Sequence, residues 1–260
     1  MAHKEYIKEV PGSDTVVLCV HGIFGSPDVF KPILKQIPAD WSVFNILLDG
    51  HGKSVQDFAR SSMTKWKGQV QRTLTYLSVR YSKIIIVGHS MGTLFALQAA
   101  DGSNPRIKAL FLLDVPLMPI LRPSCASNAL QILCERIPAD NKVAFAQNAA
   151  VSVTPDKRVW RYLTWLPRIL ELSKEIEITR KCISKVKAPC RVFLSQKDEL
   201  VSLRSYRYLK GNPRIKVSML PGATHFYFSE ENTARMQRAF ASMCRKVSAM
   251  PSKKYFFKFF

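Results

Sequence analysis

Lys83-Ile84-Ile85-Ile86-Val87-Gly88-His89-Ser90-Met91-Gly92-Thr93 is the stretch whose reading decides the fold. Ile84 to Val87 form a short run of branched apolar residues, the composition of a strand buried on both faces. Gly88 to Gly92 spell Gly-x-Ser-x-Gly. Leu94, Phe95, Leu97 and Ala99 then carry apolar groups at helical spacing. Bare Gly-x-Ser-x-Gly is a weak signal, and an ordinary glycine turn with a serine cap would share it. Strand, sharp turn and helix are the context that turns it into a nucleophile elbow. There Ser90 projects its hydroxyl above the sheet, and the Met91 amide opens a helix N-terminus where an oxyanion is held.

Working outward, the chain alternates strands and helices on both sides of this stretch. Branched and aromatic runs predict strands over 6–10, 15–20, 41–48, 107–113, 190–194 and 215–220. Apolar periodicity predicts helices over 26–37, 202–210 and 230–247, with 55–80 helical in two pieces broken near Ser61-Ser62. Such an order implies a mostly parallel sheet with helices on both faces, and active residues beyond the carboxyl ends of the strands. The alternation stops at Pro116 and resumes at Ala188-Pro189. Residues 1–115 and 188–250 are therefore expected to form a discontinuous core. Residues 116–187, interrupted by prolines, form a helical insertion. This cap either packs on a small core of its own or turns an apolar underside, with Trp160 and Trp165, toward a lipophilic substrate. Residues 251–260 form a tail of aromatics and lysines, read as a frayed end or an interfacial anchor.

A serine hydroxyl needs a base, and the base needs an orienting acid. The histidines are His3, His21, His51, His89 and His225. In this kind of sheet the order is serine, acid, histidine. Only His225 follows Ser90, in a loop after the last strand. His89, the neighbour of Ser90, is expected to point away from it. Asp114 and Asp198 each end a strand. Asp198, in Lys197-Asp198-Glu199-Leu200-Val201, is the favoured acid, with Glu199 directed elsewhere. The oxyanion donors are expected at the backbone amides of Met91 and Ile23, with Phe24 the weaker alternative to Ile23. Phe24, Trp160 and Trp165 are the candidate pocket residues. Asp49-Gly50-His51-Gly52-Lys53-Ser54 lacks phosphate-loop spacing and reads as a structural turn.

Composition sets the outer bounds. The 260 residues suit one large domain, or one domain with an insertion. There are 39 Lys and Arg against 19 Asp and Glu, a net charge of +20 that favours anionic surfaces. No helix-turn-helix, RNA-binding or zinc pattern accompanies that charge, so no specific nucleic-acid partner is expected. The six cysteines lack metal-ligand spacing, no metal is expected, and a Cys125–Cys134 or Cys182–Cys190 bridge stays open. With no secretory h-region and no spanning apolar run, the expectation is a cytoplasmic protein that can touch an anionic membrane peripherally through its basic surface and tail.

His21-Gly22-Ile23-Phe24-Gly25-Ser26, Asp49 to Ser54, Gly88 to Gly92, Lys197 to Val201 and Gly222-Ala223-Thr224-His225 occur in that order. Together they resemble the α/β-hydrolase fold, and in particular its bacterial carboxylesterase and monoacylglycerol lipase branch. The resemblance covers residues 15–247. It implies a Ser90–Asp198–His225 triad, an acyl-enzyme intermediate and no cofactor, acting on a small-molecule ester or lipid. With little chain before Thr15, the usual early antiparallel strands must be short or missing. A thioesterase, an amidase or a carbon–carbon bond hydrolase uses the same parts, and so does a ligand-binding or membrane-binding protein that has kept the fold.

Overall fold

The computed structural model describes residues 3–252. Its strands are β1 (Tyr6–Lys8), β2 (Thr15–Val20), β3 (Ser42–Ile46), β4 (Lys83–His89), β5 (Ile107–Leu113), β6 (Cys190–Ser195) and β7 (Ile215–Leu220). They form one sheet in the order β1-β3-β2-β4-β5-β6-β7. Every neighbouring pair is parallel except β1 with β3. The early antiparallel part is thus the single short strand β1 among the described residues.

The alternation of side chains along the central strands separates two cores. Val16, Leu18 and Val20 of β2, with Ile84 and Ile86 of β4, face one way. Val17 and Cys19, with Ile85 and Val87, face the other. This period of two on doubly buried strands is what the unbroken apolar runs encode. The first face is covered by α2 (Val55–Ala59), α3 (Met63–Arg80) and α4 (Met91–Ala99), through residues such as Phe58, Trp66, Leu74 and Leu94. The second is covered by α1 (Lys31–Leu34) and a carboxyl-terminal helix over Glu230–Ser248, whose Met236, Phe240 and Val247 point inward. Phe240 meets Phe111 of β5 edge-on, with ring centroids 5.2 Å apart.

Two helices are shorter than periodicity predicts. The 26–37 stretch becomes a 3-10 turn at Pro27–Phe30 followed by α1, because Pro32 lacks the N–H that a continuous helix needs. The 202–210 stretch is likewise a 3-10 turn over Leu203–Ser205 and a short helix over Tyr206–Leu209. The break near Ser61-Ser62 is where it was expected, with Ser62 capping α3 by accepting from the Lys65 amide.

The insertion holds α5 (Pro123–Leu133), α6 (Lys142–Ala150), a 3-10 segment (Val159–Trp165) and α7 (Leu166–Cys182). The helices Tyr206–Leu209 and Glu230–Ser248 are then α8 and α9. The cap shares the core of the sheet: Leu117, Val153 and Ile176 are buried in the same cluster as β2 and β4. It is also stitched down by polar bonds. The Trp165 indole donates to the Val55 carbonyl at 3.1 Å, the Ser152 amide to the Phe24 carbonyl at 3.0 Å, and Lys67 pairs with Glu175 at 2.8 Å. All six cysteines are unpaired. Among the described residues no helix is long and apolar enough to cross a membrane. Of the aromatic tail, residues 253–260 lie outside the described residues.

Candidate active site

Ser90 sits between β4 and α4 at φ 51° and ψ −125°. A non-glycine residue there costs on the order of 1–3 kcal/mol, which its surroundings must supply. They do so with bonds on both sides. The Ser90 amide donates to the Leu113 carbonyl at 2.9 Å, and the Ser90 carbonyl accepts from the Thr93 amide at 2.9 Å and the Thr93 hydroxyl at 2.6 Å. The glycines permit the approach. A Cβ on Gly92 would lie 2.0 Å from the Val20 carbonyl oxygen, and one on Gly22 would lie 2.8 Å from the Ser90 Cβ. The elbow therefore presses against the end of β2 and the loop that follows it.

That loop is held by two histidines that do not reach the serine. His21 donates from Nδ1 to the Gly22 carbonyl at 2.9 Å and accepts at Nε2 from the Leu48 amide at 3.1 Å. His51 donates from Nε2 to the Ile23 carbonyl at 2.6 Å. Burial, and then the charge each would feel from the other if protonated, hold His21 well below the usual histidine range. Burial also lowers His51, against the pull of its carbonyl partners. Both are neutral struts. The Asp49 to Ser54 turn thus braces the loop at the Ile23 carbonyl through His51. Met91 is the first residue of α4, so its amide has no carbonyl one turn back to bond.

His225 and Asp198 meet in the buried interior. The imidazole Nδ1 donates to Asp198 Oδ2 at 2.8 Å. The other carboxylate oxygen accepts from the amides of Leu200 at 2.7 Å and Val201 at 2.8 Å. Burial alone would raise Asp198, but the neighbouring His225 charge and these bonds keep it below the usual carboxylate value. Burial alone would lower His225, and the Asp198 charge and bond outweigh that and raise it.

Two neighbours have roles that differ from the sequence expectation. Glu199 does not point elsewhere: its Oε2 accepts from the His225 amide at 3.0 Å, tying the histidine loop to the acid loop. His89 does not point clear of the site either. Its ring packs 4.7 Å from that of His225, and its Nε2 donates to the His225 carbonyl at 3.0 Å. Burial, and then His225, push His89 down to about 3, so it is neutral. Both contacts arise where separate loops cross, and no local pattern announces them.

Asp114 ends β5 at φ 52°. Its Oδ1 accepts from the Ser195 amide at 2.6 Å and its Oδ2 from the Ser195 hydroxyl at 3.0 Å. Burial, and then the Asp198 charge, raise it well above the usual carboxylate value. The two acids weighed from sequence are thus both at the site, but only Asp198 is bonded to His225. His89, Asp114 and His225 offer ligand atoms within 4.8 Å of one another. Each already makes a separate hydrogen bond, His89 through Nε2 to the His225 carbonyl, Asp114 to Ser195 and His225 through Nδ1 to Asp198, while His89 Nδ1 is buried without a partner.

The candidate pocket residues divide. Trp165 stacks on Phe24 with centroids 4.9 Å apart and 24° between planes, and it also meets Phe58 at 4.8 Å. Trp160 is not brought to them and is 62% exposed. The start of the insertion runs beside the acid loop instead. Ile120 and Arg122 donate to the carbonyls of Leu200 and Glu199, both at 2.9 Å, and Pro119 bridges Val201.

A model of the "Alpha/beta hydrolase family" matches residues 17–239. A thermostable monoacylglycerol lipase of Bacillus sp. (strain H-257) is 24% identical over 188 residues, 71% of each chain. A putative esterase/lipase of Haemophilus influenzae is 27% identical over 104 residues, covering 40% of this chain and 35% of that one. Among solved structures, one reported for the metagenome-derived lipolytic enzymes LipS and LipT superposes with a TM-score of 0.70 at 19% identity, over 94% of this chain and 98% of that one. The monoacylglycerol lipase of Paleococcus ferrophilus superposes with a TM-score of 0.65 at 16% identity, over 95% of this chain and all of that one. At these identities the superpositions speak to the fold alone.

Proposed function

The chain belongs to the alpha/beta hydrolase family, and from that premise we propose that it hydrolyses carboxylic esters through an acyl-enzyme on Ser90. One observation supports the reading: His89, the neighbour of the strained Ser90, packs its ring 4.7 Å from that of His225, which is bonded to buried Asp198. A structural serine has no need of such a backbone, and a structural histidine has no need of a carboxylate held by two further amides.

With Nδ1 committed to Asp198, Nε2 is the His225 nitrogen left to serve as the base in the proposed reaction. It takes the Ser90 proton as Oγ attacks the ester carbonyl carbon. The carbonyl electrons move onto oxygen, and the amides of Ile23 and Met91 hold that oxyanion. Collapse restores the carbonyl and expels the alcohol, which leaves with the proton from His225. Water then attacks the acyl-enzyme with His225 again as base, and the carboxylic acid departs. Asp198 stabilises the imidazolium at each stage and keeps its own charge.

The aromatic wall beside Ile23 supports a substrate class. Phe24, Phe58 and Trp165 form an aromatic cluster there. They suit an apolar acyl chain, as in a monoacylglycerol or another lipophilic ester. The named lipase and esterase relatives support that class.

The test is a panel of p-nitrophenyl esters, monoacylglycerols, thioesters and amides, with a fluorophosphonate probe in parallel. Wild type should turn over the esters fastest and be labelled at Ser90. The Ser90→Ala protein should lose both, with kcat down about a million-fold. A folded wild type that neither reacts with the probe nor cleaves any of the panel would leave a binding protein. Faster cleavage of thioesters or amides would move the assignment to those classes.

A further inference from the structure

The cap carries apolar side chains on two opposite sides of one segment. Tyr162, Trp165 and Leu172 turn inward and pack against the core. Trp160, Leu163, Leu166 and Leu170 turn outward, and Leu163 is 76% exposed. Their spacing makes them a row. In a 3-10 helix residues three apart stand over one another, so Trp160, Leu163 and Leu166 align along Val159–Trp165 and the first residue of α7. A step of four in the α-helix then brings in Leu170. Single exposed apolar residues are ordinary, but a continuous row on a highly charged protein is not.

The charges beside the row choose between occupants. Residues 156–174 contain five Lys and Arg against two Asp and Glu. Arg158 and Arg161 share the single carboxylate of Asp156, which leaves that cluster positive. Lys157 and Lys174 are exposed. A second copy of a chain with net charge +20 would be repelled from this face, whereas an anionic one is attracted.

We propose that this row seats the protein on an anionic lipid bilayer, with Trp160, Leu163, Leu166 and Leu170 entering the headgroup region and the flanking lysines and arginines meeting lipid phosphates. Trp160 suits the boundary, since its ring is apolar and its indole N–H is polar. The position has a consequence for access. Trp165, one turn from the row, stacks on Phe24 beside Ile23. Seating the row therefore brings the inner aromatic wall of the site close to the layer from which a lipophilic ester would be drawn.

Co-sedimentation with vesicles tests this without any turnover. Four proteins are compared: wild type, Ser90→Ala, the doubly substituted Leu163→Ser/Leu170→Ser, and a chain ending at residue 250. Both substituted leucines are exposed, so unchanged melting confirms that the fold is intact. Wild type and Ser90→Ala should bind phosphatidylglycerol vesicles at low salt. Binding should fall about tenfold or more on pure phosphatidylcholine or at high salt. The double variant should lose about tenfold on phosphatidylglycerol, while hydrolysing a soluble ester within about twofold of wild type, since neither side chain reaches the chemistry. The proposal is overturned if the double variant binds as wild type does. It is equally overturned if removing the tail abolishes binding and the leucine substitutions do not, or if wild type ignores vesicles and gel filtration shows a dimer that the double variant loses. Because binding is also read on Ser90→Ala, its failure leaves the hydrolase assignment standing, and the reverse holds too.

Discussion

Asp114 and Asp198 end neighbouring strands and lie in one buried site, yet they are held for opposite purposes. Asp198 has two amides and an imidazole to support its charge, while Asp114 is raised by burial and by Asp198 itself. A neutral Asp114 has the shape and bonding of an amide. Asp114→Asn should therefore cost less than about tenfold in kcat, whereas Asp198→Asn should cost about 10⁴-fold, as when an orienting acid is removed from such a triad. Equal losses would make Asp114 the acid. The pH profile checks the same arrangement. The proposed mechanism needs neutral His225, and Asp198 raises the pKa of that imidazole. The acid limb of kcat/KM should thus have its midpoint above pH 6.5, the unperturbed value. The pairing of His225 with Asp198 was legible because each lies past a strand end inside a local motif. Glu199 and His89 were not, because what they hold is the backbone of His225, which is remote in sequence and reaches them only through folding.

At the scale of elements, the branched runs of β2 and β4 mark buried strands with little ambiguity, since few alternatives accommodate Thr-Val-Val or Ile-Ile-Ile-Val. The helices were less legible. Apolar periodicity does not say whether a turn closes at three residues or four, and Pro32 and Pro167 decide that locally. The cap was legible as helical, but its attachment was not. Its first residues run along the acid loop and its last helix joins the main core, and both depend on surfaces far apart in sequence. Trp165 is where that attachment meets the site. Trp165→Ala removes the stack on Phe24, the contact with Phe58 and the bond to the Val55 carbonyl. It should destabilise the protein by about 2 kcal/mol in a denaturant titration. It should also raise KM for long-chain esters more than for acetate esters. An equal effect on both would place the acyl chain elsewhere.

Across the whole molecule, buried ionisable groups set how stability varies with pH. His21, His51 and His89 are held neutral, so their contribution is present above pH 6.5 and is lost as pH falls through their lowered values. Asp114 works against them. Its raised value means that stability declines as pH rises from about 3.8. His225 has the same sign, with stability present below pH 6.5 and lost as pH climbs through its raised value. Below pH 6.5 the three histidines dominate, so unfolding should take up protons and stability should fall as the solution is acidified. Guanidinium midpoints measured from pH 5 to 8 should peak near pH 6.5 and fall on both sides. A curve that rises steadily to pH 8 would mean that His225 is not raised. The activity limb lies above the same pH, so the most durable protein and the fastest enzyme occur at different acidities.

The contact between Gly92 and the end of β2 also has a meaning in time. The elbow closes only when residue 92 lies directly against the Val20 carbonyl, across some seventy residues of chain that include β3, α2 and α3. Local helices can form within microseconds, but this approach must wait for the central strands to align. A refolding chain should accordingly recover its helical circular dichroism before its Ser90 reacts with a fluorophosphonate. On the proposed reading, Ser90 is thereby a clock for the last stage of assembly, and a half-made molecule would carry no reactive serine to misfire.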